Sequence, residues 1–306
     1  MKILMLYAKN EYTTGVYFEN YFKRSREHKI MSAGFNKPGL KNTTDLQTPQ
    51  KVVITDILSK CPEKPDFIFA MQGFTNMEVY GIESIDIPTV YYGIDTHTEN
   101  KDYIFNEAEK YKYVFFAQQK GCYEFEEVKR RKAIWLPCAA EPFIHKPMNL
   151  HSGIEYDIAF IGGTDLKEAH KKRRDLLKQL MTKYKVFVGN AWGLFLTLQY
   201  NKAKIVFNCS FNDDVNMRIF EALACKRALL TDKLSIESGL NELFLDGTDI
   251  MTYENDIMEK ARLLLTDDKL REKIAESGYK KVIENHTYAK RSETICQMIK
   301  NNEKTK

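Results

Sequence analysis

The chain has 306 residues, a formal net charge of +4, 43% hydrophobic residues and 29% charged residues. This length suits two domains of about 150 residues each, and the composition is that of a globular protein with material for real cores. The charge fits an anionic ligand but falls short of a nucleic-acid footprint, and no stretch reaches the ~18–20 apolar residues of a membrane span, so any membrane contact is expected to be peripheral.

Residues 2–8 read as a buried strand that starts at once, too short for a signal segment and without a cleavage site. A polar turn containing Gly15 leads into a helix over 17–26, and 29–35 reads as a second strand. Residues 53–61 read as a helix closed by Pro62 and Pro65. Strands follow at 66–71, 88–93 and 113–117, with a helix over 103–111. This alternation predicts a parallel sheet covered on both faces. Prolines 137, 142 and 147 and the polar stretch 149–153 then break the rhythm. The second domain restarts with a strand at 157–161 and a long basic helix over 166–184. Further strands are expected at 185–188, 204–209 and 228–231, helices from 257 onward, and a frayed polar tail over 301–306. The six cysteines (Cys61, Cys122, Cys138, Cys209, Cys225 and Cys296) are scattered without a C-x-x-C pair. They read as reduced thiols of a cytoplasmic protein.

The most informative stretch is DDVNMRIFEALAC, from Asp213 to Cys225. It follows an apolar strand-like run and reads as strand, loop, helix. Ligands of open α/β sheets sit outside the carboxyl ends of strands, where helix N-termini hold phosphate. Asn216 and Met217 would offer main-chain donors, Arg218 a cationic fork, and Glu221 would reach a ribose diol. Asp213 would project toward whatever the phosphate carries, since a carboxylate accepts two hydroxyl hydrogen bonds at once. The same spacing also arises from two ordinary acids around a loop, with Phe220, Leu223 and Ala224 as the buried stripe of an amphipathic helix.

Smaller constellations carry possible chemistry. Gly162, Gly163 and Thr164 follow a strand, where a bare backbone approaches a phosphate and Thr164 donates a hydroxyl or caps a helix; a plain tight turn fits them equally. Lys171 to Arg174 read as a solvated basic face. Asn190 and Trp192 follow the next strand and either face a nucleobase or pack in the core. Asp95 and His97 follow a strand of the first domain, where His97 could donate to a sugar or phosphate and Asp95 could bind or deprotonate an acceptor hydroxyl; a structural polar loop fits them as well. Gly15 sits where a loop could close over a diphosphate. No metal site is expected: Asp213-Asp214 is not a D-x-D, and the six histidines lack ligand spacing.

The Asp213–Cys225 stretch resembles the glutamate-x7-glutamate region of retaining GT-B glycosyltransferases, in the variant found in CgeB-like (spore-maturation-type) proteins. The resemblance continues through LLTD at 229–232, GLNELF at 239–244, Asp246-Gly247, IAESG at 274–278, His286 to Tyr288 and Arg291. Upstream it takes in YYGIDTH at 91–97, IWLP at 134–137 and YDIAFIGG at 156–163. Two departures stand out: Asp213 replaces the usual Glu, and Lys226 stands where a Gly commonly follows Ala-Cys.

The resemblance implies an α/β GT-B fold, with the proline-bearing stretch linking two Rossmann-like domains at a boundary near residue 150 (1–150 and 151–306), parallel sheets that face across a cleft, and a C-terminal helix, 288–301, that crosses back onto the first domain. It implies a retaining, metal-independent transferase that uses a nucleoside-diphosphate sugar, most simply UDP-linked, and no cofactor. Asp213, Asp95, His97 and Arg218 would be its catalytic residues, and Arg173 a cation near the diphosphate. Glu221, Asn216, Met217, Gly162, Gly163, Thr164, Asn190, Trp192 and Gly15 would line the nucleotide sugar. The acceptor, a protein, a glycan or another hydroxyl, is not specified. The departures at Asp213 and Lys226 keep open a non-catalytic sugar-nucleotide binder, and a same-fold nucleotide-sugar epimerase is a further alternative.

Overall fold

Unbroken apolar runs become the central strands of two parallel sheets. The structure, a computed structural model, describes residues 1–10, 13–36, 39, 43–72, 77–151, 153–165 and 168–303. The chain divides into two units: Met1–Pro137 together with the C-terminal segment from Tyr288, and Cys138–Thr287.

The first unit runs β1 (Lys2–Tyr7), α1 (Thr14–Arg24), β2 (Lys29–Gly34), β3 (Leu46–Gln47), β4 (Lys51–Val53), α2 (Ile54–Leu58), β5 (Phe67–Gln72), β6 (Glu78–Tyr80), β7 (Thr89–Gly93), α3 (Lys101–Ala108), β8 (Tyr113–Phe116), α4 (Gln119–Lys129) and β9 (Ile134–Trp135). Among the described residues seven strands form one sheet in the order β3-β2-β1-β5-β7-β8-β9, and β4 pairs with β6 apart from it. Every residue of β5 and β7 is buried, as expected of parallel strands with helices on both faces. Leu4, Leu6, Ile68, Ala70, Tyr91 and Phe116 are central to the core. The order reverses direction between β1 and β5.

The second unit runs β10 (Tyr156–Ile161), α5 (Lys171–Met181), β11 (Val186–Gly189), α6 (Gly193–Asn201), β12 (Ala203–Phe207), α7 (Met217–Ala224), β13 (Ala228–Asp232), α8 (Leu240–Leu243), β14 (Met251–Tyr253), α9 (Ile257–Thr266) and α10 (Asp268–Asn285). Its parallel sheet has the order β11-β10-β12-β13-β14. Phe160, Ile205, Phe207, Leu230 and Tyr253 fill the core. The chain places β11 on one side of β10 and all later strands on the other. The topological switch point, where open α/β sheets take their ligands, therefore lies between the carboxyl ends of β10 and β12.

The last helix, α11 (Tyr288–Glu303), returns the chain to the first unit. Tyr288 is buried there, with ring centroids 5.1 Å from Tyr17 and 5.2 Å from Phe18, and Arg291 Nε donates to the Pro137 carbonyl at 2.7 Å.

The structure departs from the sequence-based expectation in several places. The chain enters the second unit at Cys138 rather than near residue 150. The intervening segment is tied to that unit by hydrogen bonds: Ala140 N to the His286 carbonyl at 3.0 Å, Thr197 Oγ1 to the Ile144 carbonyl at 3.0 Å, and Met148 N to Asn201 Oδ1 at 2.8 Å. The expected basic helix begins only at Lys171, after a 3-10 turn over Glu168–His170. Its expected start at 166–167 lies outside the described residues, as do Ser152 of the polar stretch and the end of the tail, 304–306. Helix α6 escaped notice because Leu194 and Phe195 put apolar side chains on its exposed face, which erases the helical period.

Candidate functional site

The switch point of the second unit is built from two strand exits. Strand β10 ends in Gly162, whose φ of +153° and close approach to Arg218 both require glycine: a Cβ there would collide with the Arg218 guanidinium. Strand β12 ends in Asn208, Cys209 and Ser210, and the loop then turns through two left-handed residues, Asn212 (φ +46°) and Asp213 (φ +64°). Helix α7 follows, with Asn216 as its N-cap. Ile219, Phe220, Leu223 and Ala224 bury its apolar face. It closes on Lys226, which adopts φ +56° and pairs with Glu276 of α10 at 2.6 Å. A lysine therefore occupies the left-handed closing position that glycine fills most cheaply.

Two guanidiniums converge on this edge. Arg218 donates from Nε to the Ile161 carbonyl at 2.8 Å and from Nη1 to Asn208 Oδ1 at 2.5 Å, with its Cζ 4.6 Å from the Phe160 ring centroid. Arg173, carried by α5, donates to the carbonyls of Cys209 (2.8 and 3.2 Å) and Gly163 (2.8 Å) and lies 5.4 Å from the same ring. Every one of these acceptors is neutral, and among the described residues neither arginine forms an ion pair with a carboxylate. Burial and then the charge of Arg218 depress the Arg173 pKa, although a guanidinium stays protonated regardless. Asp232 at the end of β13 is the nearby acid. Its carboxylate accepts from Ser210 N at 2.9 Å and lies 3.8 Å from Lys172 Nζ, and burial raises its pKa. Two partly desolvated cations held by neutral groups form a ready anion site.

Asn208 is the hub beside Arg218. Fully buried, it donates from Nδ2 to Thr231 Oγ1 at 2.9 Å and Ser210 Oγ at 3.2 Å, while its Oδ1 accepts from both Arg218 and Asn216. Asn216 donates from Nδ2 to Asn208, and its Oδ1 does not cap α7. Neither Asn208 nor Ser210 was expected from the sequence, because an Asn ending an apolar strand carries no pattern of its own.

Glu221, one turn into α7, is 7% exposed. Burial pushes its carboxyl up to about 7, against the pull of Arg218. His145 lies 3.6 Å from Glu221 Oε1 through its Nε2, and is fully buried, which pushes its pKa down to about 3. His145 was also missed, since it lies in a segment read as a linker.

The remaining expected residues fall as follows. The Asp213 carboxylate accepts from the Ser235 N–H at 2.8 Å and from the Ser235 hydroxyl, an engagement not foreseen. Met217 opens α7 beside Asn216. Thr164 stands half-buried after Gly163 and does not cap α5, whose N-cap is His170. Asn190 is exposed after β11, and Trp192 is 58% exposed, so the indole is not core.

In the first unit, Asp95 takes a left-handed φ of +67° just after β7, and its carbonyl accepts from Thr98 N at 3.1 Å and Thr98 Oγ1 at 2.7 Å. His97 is half-buried in the same loop. A non-glycine residue held in this conformation is a common mark of a functional loop. Gly15 lies in the first turn of α1, where an added Cβ would sit 2.5 Å from Tyr7 Cδ2. It lets the helix pack closely on the sheet rather than forming an open loop. Beside it, the fully buried Glu19 is held by Lys9 (2.7 Å), Lys23 (2.8 Å), Ser32 (2.6 Å) and the Tyr7 hydroxyl. Burial pushes its carboxyl up, but these four donors outweigh that and hold it below its ordinary value.

Among the described residues no group of three or more His, Cys, Asp or Glu is arranged to hold a metal, and no helix is long and apolar enough to cross a membrane.

A family model described as glycosyl transferase-like matches residues 171–297, a span that contains Arg173, Asp213, Arg218 and Glu221. No curated protein matches the chain by sequence. Among solved structures the chain is similar to an α-glucosyltransferase in complex with UDP and a 13-mer DNA containing an HMU base, with TM-score 0.72 and 11% identity over 98% of this chain and 99% of that one. It is similar to sucrose-phosphate synthase from Thermosynechococcus elongatus, with TM-score 0.66 and 11% identity over all of both chains. It is also similar to Anabaena HepE in complex with UDP-glucose, with TM-score 0.65 and 11% identity over 98% of this chain and 100% of that one. The fold is therefore that of the GT-B glycosyltransferases, built from two Rossmann-like units, and the match to the glycosyl transferase-like family model spans most of the second unit.

Proposed function

We propose that the protein is a retaining, metal-independent GT-B glycosyltransferase of the CgeB-like type, acting in the cytoplasm on a UDP-linked sugar and a hydroxyl acceptor. The observation that carries this reading is the convergence of Arg173 and Arg218 on the β10–β12 switch point with only neutral hydrogen-bond acceptors. Such a pair suits the diphosphate of a nucleotide sugar. Because its charge is already in place, it stabilises the departing diphosphate without reorganising at the moment of bond cleavage. The UDP found with the α-glucosyltransferase and with HepE supports the choice of base.

In this reading the first-turn amides of α7 add to the phosphate site, and Glu221, four residues beyond Met217, meets the ribose diol. Asp213 retains capacity for sugar hydroxyls. A carboxylate has about four lone-pair sites, of which Ser235 uses two. Retention rests on the resemblance of the Asp213–Glu221 stretch. Asp95 and His97, in their strained loop, are assigned to the acceptor side.

The test is a thermal-shift and calorimetric titration with UDP, GDP, TDP and their sugar conjugates, in the absence of metal. Selective stabilisation by UDP and one UDP-sugar is the expected result. No stabilisation by any nucleotide would overturn the reading.

A further inference from the structure

The segment Glu141–His145 is folded into a closed turn. Its backbone bonds run from Ile144 N and His145 N to the Glu141 carbonyl, at 2.9 and 2.7 Å. The ring completes the closure: Glu141 N–H donates to His145 Nδ1 at 3.1 Å. A ring nitrogen that accepts an N–H cannot carry a proton, so in the neutral imidazole the proton must sit on Nε2. That N–H faces Glu221 Oε1 from 3.6 Å. The separation is longer than a hydrogen bond, though such contacts commonly tighten when ligand arrives. The turn is anchored on both sides, by Thr197 of α6 to the Ile144 carbonyl and by Ala140 to His286.

We propose that His145 is a positioning residue for Glu221: its neutral Nε2–H holds one carboxylate oxygen so that the other meets the ribose diol of the nucleotide sugar. This rests on the nucleotide-sugar reading of the site. Among the described residues the other titratable groups facing Glu221 are Arg218 from α7, Cys225 at the C-cap of α7, and Tyr200 from α6. Arg218 draws the carboxyl toward ionisation, while Cys225 and Tyr200 lie in its field as neutral groups. His145 is a neutral donor arriving from outside the two helices.

The test compares two substitutions that separate the two ring nitrogens. In His145→Asn the side-chain oxygen can still accept the Glu141 N–H, but no donor reaches Glu221. In His145→Gln the amide nitrogen reaches the place of Nε2. Positioning predicts that His145→Asn weakens UDP-glucose binding by about tenfold or more, with the acid limb of binding shifted to higher pH, while His145→Gln stays within about threefold. A merely structural role predicts the reverse order, with Asn the better tolerated, and that result overturns the proposal. Nitrogen NMR of the imidazole in the ligand-free wild type is independent of both variant folding and nucleotide binding. A proton on Nε2 agrees with the proposal, and a proton on Nδ1 overturns it. If UDP-glucose fails to bind the wild type, the nucleotide-sugar reading falls. The coupling of His145→Asn with Glu221→Gln in ligand-free stability at pH 8 then decides whether His145 holds the carboxylate, and additivity of the two substitutions would count against it.

Discussion

Arg218 lays its guanidinium over the ring of Phe160, 4.6 Å from the centroid, while its Nε is bonded to the carbonyl of Ile161. The cation thus lies over a core residue of β10, and its Nε is bonded to the end of that strand. Gly162 leaves room for this arrangement.

Arg218→Lys is expected to keep the fold and lose the geometry, because an ammonium can neither stack nor bridge Ile161 and Asn208 at once. UDP affinity measured by calorimetry should fall about tenfold or more. Gly162→Ala should act in the same direction by displacing the guanidinium. Unchanged affinity in both variants would remove the arginine from the phosphate site.

Glu221 gives a pH dependence with a definite sign. Its folded pKa is raised from the ordinary 4.5 to about 7 by burial. Stability from the protonated form is therefore full below about 4.5 and is lost as the pH rises to about 7. At pH 8 the buried charge costs on the order of 3 kcal/mol. Glu221→Gln should raise the ligand-free Tm at pH 8 and leave it nearly unchanged at pH 5. The same variant should bind UDP-glucose poorly. In the wild type, UDP-glucose affinity should decline below pH 7, by at most about tenfold per pH unit, as one proton competes with the ribose.

Transfer is expected to proceed fully in excess chelator, since the two arginines supply the cationic charge. Product formation that stops with chelator and returns with Mn²⁺ would show that a divalent ion carries that role.

Lys226 combines a left-handed backbone, φ +56°, with an ion pair to Glu276. The conformation costs a non-glycine residue about 1–2 kcal/mol, and a half-exposed ion pair returns no more than about 1 kcal/mol. Lys226→Gly should therefore match or exceed the wild type in chemical denaturation. Lys226→Ala, which keeps the strain and loses the pair, should fall about 1 kcal/mol below Lys226→Gly.

Gly15→Ala should destabilise the protein by about 1–3 kcal/mol through overpacking. The added carbon meets Tyr7 at 2.5 Å, and that ring is fully buried with its hydroxyl held by Glu19, so it cannot yield.

The sequence by itself determined the α/β class and the positions of the central strands. Apolar runs such as 66–71 and 88–93 have no partner-dependent alternative, since only burial on both faces satisfies them. It also determined that Arg218 and Glu221 share the start of one helix, because that is a local, one-turn relationship. What it could not contain is which distant residues meet there. Arg173 joins Arg218 only because β10 and β12 are neighbours in the sheet, and Asn208 meets Arg218 only because strand exits converge at a topological reversal. Asp213 finds Ser235, and Glu221 finds His145, across segments whose local sequence gives no apolar period to place them. The short edge strands β3, β9 and β14 were likewise invisible, because two or three residues carry too little pattern and become strands only when a neighbouring strand offers its hydrogen bonds. Periodicity is a local property and was legible, whereas charge neutralisation, burial and the pKa of Glu221 are sums over non-local neighbours that only the folded chain brings together.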